Sequence, residues 1–264
     1  MTVIRTDKWL LDYYEKPVEL CRKLKAQFHE DARPVEIHQH LGTHGMYQRP
    51  PKDGGDEWIG HLQENGIWQI VRKEERRLQK WWNGPDVPIF IFPSDPYNRK
   101  LLKDQNGKSG LAFPDKLFLF VSEENAANEI RALFTHEYNH VCRLNSYSKN
   151  IDDYQLLDTV VLEGIAENAV RERFGETYTA NWTAYYPDGK LEKLWRHFVY
   201  PNRHAPIFSR IHQEILYGHG FFPKMTGYSV GYYLVKNYMD THQATAPDLL
   251  DIEPEIIIEK TDGG

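Results

Sequence analysis

Residues Glu123–Leu144, EENAANEIRALFTHEYNHVCRL, are the stretch from which the rest of the chain is read. Ile130, Leu133, Phe134, Val141 and Leu144 recur at intervals of three, four and seven, the spacing of a helix that buries one face. Ser122 or Asn125 can cap its start. Inside this helix sits His136-Glu137-Tyr138-Asn139-His140. Side chains four residues apart stack on one face, about 6 Å apart along the axis, so two imidazoles can reach one ion from a single rigid element. Glu137, one position round from His136, points beside such an ion, where a carboxylate can take a proton from bound water. The alternative is an amphipathic helix with two unrelated histidines.

Catalytic zinc takes three protein ligands and keeps a fourth position open. Two come from the motif helix, so a third is needed from elsewhere. Tyr154 to Phe174 reads as the following helix, with Gly175 just past its end, where glycine is preferred. Its LEGIAEN string places Glu163 and Glu167 one turn apart on an apolar background. Glu163 is the candidate third ligand and Asp158 the runner-up. Glu167, on the same face, can accept the free ring N–H of a ligand histidine and so fix its tautomer and orientation. The competing account of both is an ordinary pair of surface carboxylates.

The sequence resembles the gluzincin-like metallopeptidases and, within them, the YjaZ-like predicted bacterial zinc-dependent proteases. The likeness rests on His136-Glu137-x-x-His140, on Glu163-Gly164-x-Ala166-Glu167, and on Gly227-Tyr228-x-x-Gly231-Tyr232, and covers about the last two-thirds of the chain. It implies zinc held by His136, His140 and Glu163, with Glu137 as general base in peptide hydrolysis. The interval from His140 to Glu163 is not identical across that clan, which bears on ligand geometry and not on class. Hydrolysis also needs a group to stabilise the oxyanion and an acid for the leaving amine. Gluzincins commonly add a downstream tyrosine or histidine, and Tyr228, Tyr232, His212 and His219 are available here. Tyr228 is the first choice, against the alternative of a core aromatic whose hydroxyl meets a backbone group.

Around the motif helix the chain changes period several times. Residues 87–92, VPIFIF, and 117–121, LFLFV, are short, β-branched and aromatic and read as strands. Between them 94–115 reads as a long loop or a distorted hairpin arm. Trp9 to Leu24 and Trp58 to Trp82 carry helical spacing, separated by the loop RPPKDGGDE at 49–57. A last helix is expected at 228–242, with Gly231 marking close packing against a neighbour. The tail DIEPEIIIEKTDGG adds an edge strand or dangles. These elements make an α+β chain, zincin-like and mainly helical, with a small mixed sheet packed on the motif helix. A helical region over 1–85 and a catalytic domain over 86–264 are expected. The strand LFLFV is expected to offer an edge along which a peptide or protein substrate lies extended.

Composition excludes several other classes. Across 264 residues, 41% are hydrophobic and 27% charged, the balance of a folded soluble protein. A formal charge of −6 gives no global field favouring nucleic acid or anionic lipid. The basic and acidic run RKEERRLQK reads as a solvated helix face. No apolar run reaches the length of a membrane span, and the first residues lack the unbroken apolar core of a signal peptide. Cys21 and Cys142 show no metal or disulfide spacing, so a reducing, cytoplasmic setting is expected; Cys142 reads as a buried small hydrophobe. HQHLGTH, carrying His38, His40 and His44, reads as an exposed polar loop, and NGKSG at 106–110 lacks the spacing of a phosphate-binding loop. Two other functions stay open: a non-catalytic protein that keeps a zinc fold and acts by contact, and a metallohydrolase of non-peptide amides or esters.

Overall fold

In the computed structural model, residues 2–50 and 55–259 are described. Residues 51–54 of the loop expected at 49–57, and 260–264 of the tail, lie outside the described residues. The chain divides into two compact units, Met1–Val141 and Cys142–Gly264.

The first unit opens with α1 (Thr6–Tyr13), α2 (Pro17–Leu20) and a 3₁₀ segment over Cys21–Gln27, followed by α3 (Pro34–Thr43), α4 (Gly55–Glu64) and α5 (Ile67–Trp82). The expected helix from Trp58 to Trp82 is two helices, because Gly66 takes a left-handed conformation at φ 64 between them. On α5 the run RKEERRLQK exposes Lys73, Arg76, Arg77 and Lys80 but turns Glu74 and Glu75 inward, so this face is not simply solvated. HQHLGTH is likewise no loop. His38 and His40 lie on α3, whose first position, Pro34, is pre-set for a helical start.

Next come β1 (Ile89–Pro93), α6 (Arg99–Gln105), β2 (Ser109–Ala112), β3 (Leu117–Val121) and α7 (Ala127–Ser146). The strands form one sheet in the order β1-β3-β2. β1 runs parallel to β3, with Ile89 opposite Leu117 and Pro93 opposite Val121. β2 runs antiparallel to β3, with Ser109 opposite Phe120. Every residue of β1 and β3 is buried, as continuous apolar runs without polar alternation require. Pro88 cannot donate to a ladder, and β1 begins just after it. The segment 94–115 is more structured than its composition suggested. Asn98 caps α6 by accepting from the Leu101 N–H at 3.0 Å, and Asn106 (φ 51) and Gly107 (φ 68) turn the chain into β2.

β3 is therefore the central strand, hydrogen-bonded on both sides, and offers no edge to a peptide. That expectation is corrected: the edge belongs to β2. The opposite margin of the sheet, along β1, is partly covered by the N-terminal segment, where the Ile4 N–H donates to Ile89 O at 2.9 Å and the Ile89 N–H to Thr2 O at 2.8 Å.

The second unit contains α8 (Leu156–Phe174), α9 (Asp188–Leu194), α10 (Arg210–Tyr217), α11 (Thr226–His242) and α12 (Pro254–Glu259). Within the described part of the tail, Pro254–Glu259 is a helix and not an edge strand. Gly175 ends α8 as expected, its N–H bonding Arg171 O at 2.9 Å. Val160, Ile165, Trp195, Val230 and Leu234 lie in the core of this unit. Each such side chain fully removed from water contributes about 1.5–3 kcal/mol. α8 and α11 touch backbone to backbone. A Cβ on Gly164 would sit 2.3 Å from Gly231 O, and a Cβ on Gly231 would sit 2.0 Å from Val160 O. Asn168 ties the crossing by donating to both Gly164 O (2.9 Å) and Tyr232 O (3.0 Å). Arg143, fully buried, donates to Leu249 O at 2.8 Å and Ile252 O at 3.0 Å, and stacks over Tyr147.

Candidate metal centre

α7 carries its motif on a helix whose other face is firmly held. Tyr138 is buried, stacks on Phe134 (5.4 Å) and Trp82 (6.1 Å), and donates its hydroxyl to Pro85 O at 2.9 Å. With Tyr138 fixed inward, the 100° step per residue sends His136 and His140 together to another face. Their rings stand 4.6 Å apart and nearly perpendicular, with the two Nε2 atoms facing each other at 3.0 Å. Two imidazole lone pairs meet at that distance only with a proton or a cation between them. Cys142 is buried, as expected for a small apolar filler.

Glu137 is buried and lies against β2. A Cβ built on Gly110 would fall 2.3 Å from Glu137 Cγ and 2.6 Å from its Oε1, so the carboxylate occupies space that only a glycine leaves open. Gly110 belongs to the NGKSG string, read as irrelevant to phosphate binding; its importance lies in close approach. An isolated glycine inside a strand is the signal that could have revealed it.

Among the described residues, one group that could hold a metal ion comes together: one potential ligand atom from each of His136, His140 and Glu163, all within 4.8 Å of one another. Donors about 2.0–2.2 Å from a shared zinc ion stand roughly 3.3–3.6 Å apart in a tetrahedron. The two imidazole nitrogens are already near that separation, and two neutral nitrogens with one carboxylate are the donor chemistry of an open zinc site. The residues fit the ion.

The other candidates separate by their partners. Glu167 is buried, and its Oε1 accepts from the Ala180 N–H at 2.5 Å, which places at least one of its oxygens on the backbone. Asp158, the alternative ligand, accepts from Lys149 Nζ (2.6 Å), the Gln155 N–H (2.7 Å) and the Tyr147 hydroxyl (3.2 Å), and serves the start of α8. His212 is buried, with its Nε2 3.0 Å from Thr159 Oγ1, and burial lowers its pKa. His219 is exposed beside the Tyr217 ring. Tyr232 packs edge-on to Trp182, and burial pushes its hydroxyl up to about 12.

Tyr228 differs from all of these. Its ring packs against Trp182 (5.3 Å) and Tyr217 (5.6 Å), and the Glu163 carboxylate lies near enough for its charge to act on the Tyr228 hydroxyl. Burial first, and then the Glu163 charge, raise the Tyr228 pKa well above the ordinary phenol value, so it is a neutral O–H donor at physiological pH. Its placement follows from glycines. A Cβ on Gly227 would sit 2.8 Å from Leu216 Cα, locking the start of α11 to the end of α10, while Gly231 locks α11 to α8. Tyr217 was not singled out by sequence, where it is one of 16 tyrosines and stands outside any motif.

A helix-borne His-Glu-x-x-His string with a carboxylate in ligand range is a donor set that could hold a divalent metal ion. The chain belongs to the family of predicted Zn-dependent proteases (DUF2268), which its residues 67–259 match. It is similar to the uncharacterized protein YjaZ of Bacillus subtilis (strain 168), at 41% identity over 220 residues that cover 83% of this chain and 84% of that protein. It is also similar to the uncharacterized protein YjfC of the same organism, at 24% identity over 215 residues covering 76% and 70%. No solved structure matches the chain. No helix among the described residues is long and apolar enough to cross a membrane.

Proposed function

We propose that this protein is a zinc metallopeptidase of zincin-like architecture, its catalytic domain spanning 86–264, with His136, His140 and Glu163 as zinc ligands and Glu137 as general base. The observation that carries the reading is the convergence of those three donors, with a buried second carboxylate, Glu137, on the same helix turn as His136. Zinc, when bound, would polarise the scissile carbonyl and lower the pKa of the attacking water.

The chain's own residues then divide the remaining work. Glu137 takes the proton of the water as it attacks and returns it to the departing amine, two transfers that one carboxylate beside the site can serve in turn. Tyr228 donates its O–H to the oxyanion that develops on the carbonyl oxygen, a role for which a neutral, positioned phenol is suited. The peptide backbone lies extended along β2, whose four residues are all part-exposed and whose Gly110 brings the strand against Glu137. Glu167 supports the Glu163 helix from behind through Ala180. Two buried cysteines that form no disulfide fit action in the reducing cytoplasm.

The test is Glu137→Gln, assayed on a library of unstructured peptides alongside elemental analysis. Expected is wild-type zinc content with turnover reduced by about 10²–10⁴. Unchanged hydrolysis removes Glu137 as the base, and absence of hydrolysis in the wild type removes the peptidase reading.

A further inference from the structure

We infer that His40 and His44, together with Phe113, form a subsite for an aromatic side chain of a peptide lying along β2; the inference rests on the placement of substrate along that strand in the proposed function. The register of β2 fixes which way such a peptide turns its side chains. The Phe113 N–H donates to Lys116 O at 2.9 Å, so these two residues are a hydrogen-bonded pair at the closed end of the hairpin of β2 and β3. Hydrogen-bonded and non-hydrogen-bonded pairs alternate along an antiparallel ladder. Leu111, opposite Phe118, and Ser109, opposite Phe120, therefore bond β3, while Gly110 and Ala112 turn their N–H and C=O groups to the open edge. A residue docked level with Gly110 projects its side chain to the face that carries Glu137. Its chain neighbours project to the opposite face, with Ser109, Leu111 and Phe113.

α3 borders that opposite face. At one end of β2 the Ser109 hydroxyl donates to His44 O at 2.7 Å, and just past the other end the Phe113 ring lies 6.3 Å from the ring of His40. The His40 and His44 rings are 5.0 Å apart and inclined at 66°, so the pair runs alongside the strand. His40 is exposed and His44 half-buried, whereas His38 turns inward with its Nε2 3.2 Å from Tyr47 O. HQHLGTH is thus divided, one imidazole serving the core and two standing at the sheet edge. The walls they make with Phe113 are uncharged rings. Burial lowers the pKa of both imidazoles, and the charge of His40 lowers that of His44 further, which keeps them neutral at physiological pH. Lys116 Nζ lies over the Phe113 ring at 4.4 Å but is already paired with Asp115 at 2.9 Å. A flat apolar side chain finds ring edges and faces here, while a carboxylate or ammonium would lose water without meeting an unpaired opposite charge.

The test is a peptide library varied one position at a time around the scissile bond, read as the ratio of kcat/KM for phenylalanine to that for alanine. The wild type is expected to prefer phenylalanine or tyrosine at one position. His40→Ala combined with His44→Ala is expected to lower that ratio about tenfold, the effect of losing aromatic contacts and the area they bury. A second measurement needs neither zinc nor turnover. In metal-free protein, with the imidazole Cε1–H signals assigned through His40→Ala and His44→Ala, a soluble peptide carrying a single phenylalanine is expected to shift both signals, and its alanine counterpart neither. An unchanged ratio in the double variant, or a preference for an acidic side chain at that position, overturns the inference while the peptidase reading stands. A wild type that cleaves no peptide removes the peptidase reading, and the imidazole signals then decide the subsite separately. Moved only by the phenylalanine peptide, they sustain it; unmoved, they overturn it.

Discussion

The carbonyl oxygen of Gly231 lies 2.3 Å from where a side chain on Gly164 would begin, so the two helices that bear Glu163 and Tyr228 meet with no room for a methyl group. Glu163 precedes one of these glycines by one residue and Tyr228 precedes the other by three. The separation of the two functional groups is thereby set by backbone contact, which side-chain rotation cannot relax.

Gly164→Ala and Gly231→Ala are therefore expected to force α8 and α11 apart. Overpacking of this kind destabilises by about 1–3 kcal/mol, and here the obstruction is backbone carbonyl. Urea denaturation should show the lower midpoint. Zinc retention should weaken as well, since Glu163 moves with its helix. A variant with wild-type midpoint and wild-type zinc would mean that the crossing is looser than these distances require.

Removal of the proposed third ligand tests the proposed metal site. Glu163→Ala is expected to leave the fold intact, because Glu163 is only part-buried, while abolishing stoichiometric zinc after dialysis. In the wild type, a chelator should lower Tm, since an ion that binds only the folded state adds RT ln(1 + [Zn]/Kd) to stability. That shift should vanish in Glu163→Ala. One zinc per chain retained by the variant would return Asp158 or Glu167 to consideration, although Asp158 already accepts three hydrogen bonds and Glu167 holds Ala180.

Arg143 offers a test of the second unit that is independent of zinc. Its guanidinium is fully buried and its pKa is lowered by that burial, yet it donates to the Leu249 and Ile252 carbonyls. Hydrogen bonds from a charged group contribute about 1.5–3 kcal/mol each, and their loss strands the carbonyls. Arg143→Ala should destabilise by about 3–5 kcal/mol, in the range for breaking buried charged interactions. A loss below about 1 kcal/mol in chemical denaturation would show that these bonds are readily replaced by water.

What the sequence made legible was what repeats along one element. The strand at 117–121, the helix through His140 and the helix closed by Gly175 follow from period and punctuation, and the two imidazoles follow from a spacing of four. What stayed hidden depends on partners distant in sequence. LFLFV looks the same as an edge or as a centre, and only pairing on both sides makes it central. HQHLGTH contains too few apolar residues to display a helical period, although Pro34 starts one. RKLLKDQ is a single short helix set by the Asn98 cap, too brief for periodicity. Tyr217 acquires its place only because α10 and α11 are laced together by Gly218 and Gly227. No local pattern encodes that.

The last prediction separates position from stability at the proposed base. Gly110→Ala places a methyl group within 2.3–2.6 Å of Glu137 Cγ, Cδ and Oε1, which is closer than non-bonded atoms approach. The atoms in the way belong to a flexible side chain and not to backbone, so the strand can keep its pairing with Leu119 while Glu137 rotates aside. Stability should thus fall by less than about 1 kcal/mol, the usual range of a small change on an edge strand. Zinc should remain bound, since neither His136 nor His140 is displaced. Turnover, however, should fall by about 10–100-fold, because a general base has to lie within hydrogen-bond reach of the proton it takes. Measured together, zinc content, denaturation midpoint and kcat distinguish three cases. Loss of kcat alone supports a base held by the glycine gap; loss of all three means the strand itself was disrupted; and full activity in a folded, zinc-loaded variant would show that Glu137 does its chemistry from somewhere other than beside Gly110.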